Sequence, residues 1–338
     1  MPNQSFSVVP GKAIQYLLQN SHAEVTAVVR ETYLLHHRGD TNNPDSYFLR
    51  FADKPEARII ALPAAIGGNV ALAGLKWISS YPTNTKANLQ RASAALLLND
   101  YETGYPIACL EASQISSFRT AASAVLAAEV LGERGRTAGK IAFVGGGVIA
   151  RAILEFFAAQ SWSVEECAVY DLNPLDAKRL ASHGSGLLET EVTVASSLSE
   201  AVVGASHVVF ATTAPAPYVF DSSLFHADQI VLNISLRDLS PDIILQATNI
   251  FDDVEHCMKA STSPHLAEQQ SGNRDFVSGT LAGVMAGEVA LDRGKPIVFS
   301  PFGLGILDIA LGKYLLDQAK SQGLAPEIED FFPATARW

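Results

Sequence analysis

The spacing of hydrophobic positions changes period along this chain, and each change marks a different kind of structure. Residues 1–40 carry a short extended start and then a helical pattern. Ser21 and Glu24 have the spacing of a capping box for a helix over about residues 22–37, which Arg38-Gly39-Asp40 ends. From 41 to 110 the apolar positions come in short runs: 47–51, 58–62 stopped by Pro63, 70–78, 92–99 and 106–111. Turns fall at Gly67-Gly68-Asn69 and at 100–104. Strands at this spacing, with no helical pattern between them, predict a meander or barrel-like α+β unit. Residues 116–131, rich in Ala and other small residues, read as a tightly packing helix.

Beyond residue 140 strand and helix patterns alternate. An apolar run at 141–144 reads as a strand buried on both faces. A helix over 148–160 follows, then a strand at 167–170, a helix at 174–182, a strand at 192–195 and a short helix at 199–203. Further strands fall at 207–211, 229–234, 249–253 and 297–300; residues 261–296 read as helical and polar. This alternation predicts an α/β fold with a Rossmann-type doubly wound parallel sheet, joined to the α+β N-terminal unit. An amphipathic helix at 306–318 is expected to return to that first unit. The expected division is therefore 1–118 with 306–338, a substrate-binding and dimerisation domain, and 119–305, a dinucleotide-binding domain.

Composition narrows the function. A chain of 338 residues with 48% hydrophobic and 17% charged residues has material for two sizeable cores. Its net charge of −11 argues against nucleic acid or an acidic membrane as the main partner. A small anionic substrate then needs local Arg and Lys in a cleft. Cys109, Cys167 and Cys257 are far apart with no C-x-x-C, and the histidines show no ligand spacing, so neither a disulfide framework nor a metal site is expected. No signal peptide and no run of about 18 apolar residues is visible, so the expectation is a cytoplasmic protein without a membrane span.

The most specific chemical signal follows the strand at 141–144. Gly145, Gly146, Gly147, Val148, Ile149 and Ala150 fit G-x-G-x-x-A. The first glycine allows the tight turn, Gly147 admits a pyrophosphate to the backbone, and Ala150 lets helix pack on strand. The next strand ends in Asp171, near the spacing of an acid that binds a ribose 2′-hydroxyl. A carboxylate there repels a 2′-phosphate, which favours NAD over NADP. No Arg or Lys follows at once; Lys178 and Arg179 come a turn or two later.

A redox enzyme acting on an amino or imino acid needs cations for the carboxylate and an acid/base near the nitrogen. Lys76, Arg119 and Asp238 have the right chemistry. Lys76 lies in a largely apolar strand, where the alternative is a snorkelling surface lysine. Arg119 lies in a helix of small apolar residues, where the alternative is a structural ion pair. Asp238 follows a buried strand, where the alternative is a cap for a helix after Ser240-Pro241. Arg50 and Arg58 read equally well as edge-strand charges.

At this point the motifs resemble a known family. Gly74-Leu75-Lys76-Trp77, the run 99–106 from Asn99 to Pro106, Arg119-Thr120-Ala121-Ala122-Ser123, Val144-Gly145-Gly146-Gly147 and Asn233-Ile234-Ser235 are together similar to the ornithine cyclodeaminase/μ-crystallin family. Within it, the runs 58–63, 76–78, 90–93, 99–100 and 111–117 resemble the branch of N-(2-amino-2-carboxyethyl)-L-glutamate dehydrogenases, which make L-2,3-diaminopropionate for siderophores and antibiotics. The resemblance implies that Lys76 and Arg119, with Arg50, bind the substrate carboxylate. It implies that Asp238 is the acid/base and that Gly145, Gly147, Val148, Ile149, Asp171, Thr212 and Ser235 hold NAD. It also implies a homodimer formed through the N-terminal sheet. Where cyclodeaminases carry Gly-Gly-Asp this chain has Leu236-Arg237-Asp238, and where they carry Thr it has Arg91. Both changes add positive charge, which suits a substrate with three carboxylates and repels the cationic tail of ornithine. Cyclodeamination of ornithine, alanine- or imine-reductase chemistry, and a non-enzymatic μ-crystallin-like binder are the rival expectations. The main one requires cations from the front half of the chain and an acid from the back half to act on one substrate.

Overall fold

The computed structural model describes residues 5–332. The chain divides into two compact units, Met1–Arg119 with Leu304–Trp338, and Thr120–Gly303.

In the first unit, strand β1 (Phe6–Val9) is followed by helices α1 (Gly11–Leu18) and α2 (His22–His37). The strands β2 (Thr41–Asn42), β3 (Tyr47–Phe51), β4 (Lys54–Ile66), β5 (Leu72–Ser80), β6 (Ala92–Asp100) and β7 (Pro106–Glu111) come next. β4 to β7 form the expected antiparallel meander, β1 adds parallel to β7, and the short segment Glu327–Ile328 closes that edge. Two local expectations fail. The Ser21 side chain does not cap α2; its hydroxyl donates to the Leu17 carbonyl, 2.6 Å away, at the end of α1. Nor does Pro63 stop β4. On one side it sits opposite Leu75; on the other, β3 pairs only as far as Ala61 and β2 begins at Ala65. The missing N–H of Pro63 therefore faces a gap in the sheet edge, where proline is tolerated.

The helix Gly305–Ser321 lies on this sheet and packs against α2. Gly312 sets its distance: a Cβ there would meet Leu96 of β6 at 2.3 Å. One turn earlier on the same helix is Asp308, and beside Leu96 in register on β5 is Lys76. Close approach of this helix thus brings a carboxylate down onto a strand lysine.

In the second unit the strands β8 (Thr137–Val144), β9 (Ser163–Tyr170), β10 (Val192–Val194), β11 (His207–Phe210), β12 (Ile230–Asn233), β13 (Thr248–Phe251), β14 (Val277–Thr280) and β15 (Ile297–Ser300) form one parallel sheet in the order β10-β9-β8-β11-β12-β15-β13-β14. From β8 the chain passes first to β9 on one side and then to β11 on the other. That reversal is the topological switch point at which doubly wound sheets bind ligands. The core on one face gathers Val144, Phe210, Val231, Phe251 and Val298. The expected helical stretch 261–296 is instead two helices, Ser263–Ser271 and Leu281–Met285, on either side of β14. β14 has four residues and lies at the sheet edge against β13, so its sequence carries little apolar signal. Among the described residues no helix is long and apolar enough to cross a membrane.

Candidate active site

In the first unit, Lys76 is only 2% exposed, which rules out the snorkelling reading. Its Nζ lies 2.6 Å from Oδ2 of Asp308 and donates to Ser116 Oγ at 3.1 Å. Arg119, on helix α3 (Ser113–Leu131), places Nε 3.4 Å from Oδ1 of the same carboxylate and Nη2 3.4 Å from Ser116 Oγ. Two cations thus share one anion in a dry setting, leaving a surplus positive charge. Loss of hydration pushes the Lys76 ammonium down to about 8; Asp308 opposes this and Arg119 adds to it. Asp308 was not among the sequence candidates. The signal for it was present, since it is a lone acid in the apolar run Gly305-Ile306-Leu307-Asp308-Ile309-Ala310.

A pH dependence follows. The ammonium is present below about pH 8 and lost as pH rises through that value. With Lys76 as a carboxylate ligand, substrate KM rises above pH 8, and Lys76→Arg moves the rise to higher pH because guanidinium does not titrate there. Initial rates from pH 6 to 10 check this (roughly the span over which lysine charge changes). A KM flat across that range in the parent protein removes Lys76 as a charged ligand.

The other sequence-selected cations lie elsewhere. Arg50 on β3 is exposed, with its guanidinium carbon 5.4 Å from the Phe48 ring centroid. It sits opposite Arg58 on β4, which sits opposite Ser80 on β5. Arg91 is half-buried and donates from Nη1 to Ser80 Oγ at 2.8 Å. Register puts Arg50, Arg58 and Ser80 in one row on the Lys76 face of the sheet, four residues or about 13 Å along the strand from Lys76. Lys76 and Arg119 are therefore brought together, with Arg50 in a row two same-face positions along the sheet and Arg91 bonded to Ser80 of that row. Arg237, in the second unit, donates from Nη2 to the Ala260 carbonyl at 2.7 Å.

In the second unit, Gly145 has φ +101, and a Cβ on it would meet the Ala211 carbonyl oxygen at 2.5 Å. Only glycine fits this turn between the ends of β8 and β11. Gly146 N donates to Asp171 Oδ2 at 2.7 Å, and Asn173 N donates to Oδ1 at 2.7 Å. Asp171 thus braces the glycine turn and keeps lone pairs for a ribose hydroxyl. A Cβ on Gly147 would meet nothing within 4 Å, so backbone approach there is open. Helix α4 (Val148–Ala159) starts at Gly147 with no side-chain cap, leaving its first-turn N–H groups, including those of Val148 and Ile149, available to a pyrophosphate. Ala150 is fully buried. Leu172, beside Asp171, is 90% exposed, and Arg179 is paired with Asp176 at 3.0 Å. These residues fit NAD and offer no cation committed to a 2′-phosphate.

Asp238 is fully buried after β12. It does not cap the following helix, whose N-cap is Ser240. Its carboxylate instead receives three hydroxyls. Thr212 donates to Oδ1 at 2.5 Å, Tyr218 to the same oxygen at 3.0 Å, and Ser235 to Oδ2. Thr212 and Ser235, expected to hold NAD, thus commit their protons to Asp238 in this state. Tyr218 was missed by sequence reasoning; burial and the Asp238 carboxylate push its phenol well above the ordinary tyrosine range. Leu236, between Ser235 and Asp238, holds φ +67, a left-handed conformation that costs a branched side chain about 1 kcal/mol or more. Among the described residues no group of His, Cys, Asp and Glu has the geometry to hold a metal.

The second unit thus holds a parallel sheet with a glycine turn at its switch point and a buried carboxylate after β12, and the first unit holds a lysine–arginine cluster. The sequence matches the ornithine cyclodeaminase/mu-crystallin family over residues 13–323. The chain belongs to that family. Among family members, N-((2S)-2-amino-2-carboxyethyl)-L-glutamate dehydrogenase of Staphylococcus aureus is 30% identical over 316 residues, which are 90% of this chain and 93% of that protein. An archaeal alanine dehydrogenase dimer solved with bound NAD is 25% identical, with a TM-score of 0.86 over 97% of this chain and all of that one. The Δ1-pyrroline-2-carboxylate reductase of Thermococcus litoralis, in complex with NADH and L-proline, shares the fold at a TM-score of 0.87, with 24% identity over 95% of this chain and all of that one.

Proposed function

We propose that this chain oxidatively cleaves N-(2-amino-2-carboxyethyl)-L-glutamate to L-2,3-diaminopropionate and 2-oxoglutarate. It is an NAD-dependent oxidoreductase acting on a CH–NH group. The observation that carries the narrower reading is the cation surplus: Lys76 and Arg119 outnumber Asp308, and Arg50 and Arg91 stand on the same sheet face. A tricarboxylate uses such a surface, whereas ornithine brings a second cation to it. The relative in Staphylococcus aureus supports the same substrate.

In this reading Lys76 and Arg119 bind one carboxylate, with Arg50 and Arg91 taking the others. Asp238 removes a proton from the substrate amine. NAD⁺, held by Gly145, Gly147, Val148, Ile149 and Asp171, supplies the hydride acceptor for the glutamyl Cα–H. Once that proton has left for solvent, Asp238 takes a proton from the water that hydrolyses the resulting substrate imine and returns it to the departing amine. Such an enzyme belongs in the cytoplasm, and its diaminopropionate is a building block for siderophores or antibiotics.

Incubation with NAD⁺ and the synthetic adduct tests the reading: NADH accumulates, and mass detection finds both products. Conversion of ornithine to proline and ammonia with no net NADH, and no reaction of the adduct, overturns it in favour of cyclodeamination. Arg91→Ala raises KM for the adduct on the order of 10-fold, because it removes a cation from the Lys76 face.

The proposal includes a homodimer. Tyr47, Leu49 and Trp77 are exposed on the sheet face opposite Lys76, with Tyr47, Ala61, Trp77 and Ala95 in register across four strands. An apolar sheet face of this kind is the surface a second copy covers. Sedimentation finds a dimer for the parent chain and a shift to monomer for Trp77→Glu; an unchanged dimer moves the interface elsewhere.

A further inference from the structure

The reaction proposed above, on which this inference rests, has a proton to dispose of. The substrate enters as a secondary ammonium with two N–H hydrogens and one Cα–H, and water adds two. The released ammonium keeps three and NADH takes one as hydride. One proton per turnover leaves for solvent. Asp238, which receives it, is 0% exposed. The carboxylate can serve again as a base only if some group connects it to water.

We propose that Tyr218 relays the proton of the Asp238 carboxylate to solvent. The phenol donates to Oδ1 at 3.0 Å, and the residue is 41% exposed. The other two hydroxyls on this carboxylate belong to Thr212 and Ser235, both less exposed. The Tyr218 loop is tied to the residue it serves. Tyr218 N and Val219 N donate to the Asp238 carbonyl at 3.1 and 3.0 Å, and Ser240 N returns a bond to the Val219 carbonyl at 2.9 Å. Phenol and carboxylate are therefore held by two backbone segments bonded to each other, the preorganisation a relay requires. Burial and the nearby carboxylate keep the phenol protonated, so it can both accept and donate. In the relay step the O–H bond of protonated Asp238 breaks, its proton passes to the phenol oxygen, and the phenol's own proton passes to water. Tyr218 ends neutral and Asp238 ends ionised.

Tyr218→Phe is the test. It lowers kcat on the order of 10-fold and leaves KM for NAD⁺ and substrate within about twofold. NADH formation in the first turnover keeps its rate, because the proton can rest on Asp238 once. A small diffusible base such as imidazole restores kcat in Tyr218→Phe and does nothing for the parent enzyme. An unchanged kcat, a loss that imidazole does not restore, or a first turnover slowed equally overturns the relay. A second arm needs no substrate. In the parent chain the Tyr218 phenolate, read as the alkaline ultraviolet difference against Tyr218→Phe, appears later than that of free tyrosine, and Asp238→Asn brings it to lower pH. No change in Asp238→Asn overturns the contact itself. If the adduct is not oxidised, the kinetic arm runs on whichever amine the enzyme does oxidise to a carbonyl. The same proton is released there, so failure of the substrate reading and failure of the relay are separable.

Discussion

Asp238→Asn lowers kcat on the order of 1,000-fold and leaves NAD affinity within about twofold of the parent. The carboxylate proposed to take and return the amine proton becomes an amide that cannot. Its surroundings tolerate the exchange. Thr212, Tyr218 and Ser235 reach it through hydroxyls, which can rotate to accept from an amide nitrogen. The expected stability loss is therefore small, about 1 kcal/mol. The groups proposed for NAD, Gly145, Gly147 and Asp171, do not touch Asp238 through any of these bonds. NADH formation gives the rate, and calorimetric titration with NAD⁺ gives the affinity. Turnover within tenfold of the parent removes Asp238 as the acid/base; loss of NAD binding shows that the change disturbed the nucleotide turn instead.

Asp308→Asn has two effects of similar weight. Removing the anion leaves Lys76 and Arg119 facing each other without a counter-charge in a dry site, a change that costs about 3 kcal/mol. In a unit of this size that lowers Tm by about 10 °C. The second effect is on binding. Asp308 is the group that favours the Lys76 ammonium against burial and against Arg119. Without it the lysine gives up its proton at lower pH, and the proposed carboxylate ligand is neutral under assay conditions. KM for the adduct rises on the order of 100-fold, with a smaller change in kcat. Lowering the assay pH recovers part of the KM in Asp308→Asn, because it restores the ammonium. Thermal scans and KM at two pH values measure both effects. A stable variant with parental KM means that Asp308 neither holds nor charges the cluster.

The fold was legible where its causes are local. The apolar run of β8, the glycine trio, the small residue at Ala150 and the acid ending β9 all lie within one stretch of chain, and they form the strand, turn and helix expected of them. The period of apolar residues separated the meander from the alternating α/β half for the same reason. Misreadings came where a distant partner decided the outcome. Pro63 looked like a stop until the gap between β2 and β3 left its missing donor without consequence. β14 has too few apolar residues to announce itself and exists because β13 offers an edge. Ser21 had the spacing of a cap, but the end of α1 lay closer for its hydroxyl.

The candidate site divides in the same way. The sequence by itself determined which charges stand in apolar surroundings, and Lys76, Arg119 and Asp238 were conspicuous on that ground, because a buried charge must have a reason. It also determined the family, through motifs spread over most of the chain. Only the tertiary structure decided what each charge faces. Lys76 meets an aspartate 232 residues away, and Asp238 meets the phenol of Tyr218 because one loop folds back onto its backbone. Local pattern records burial, since burial is written in a residue's neighbours along the chain. Pairing across the chain depends on strand order and helix approach, which no short stretch contains.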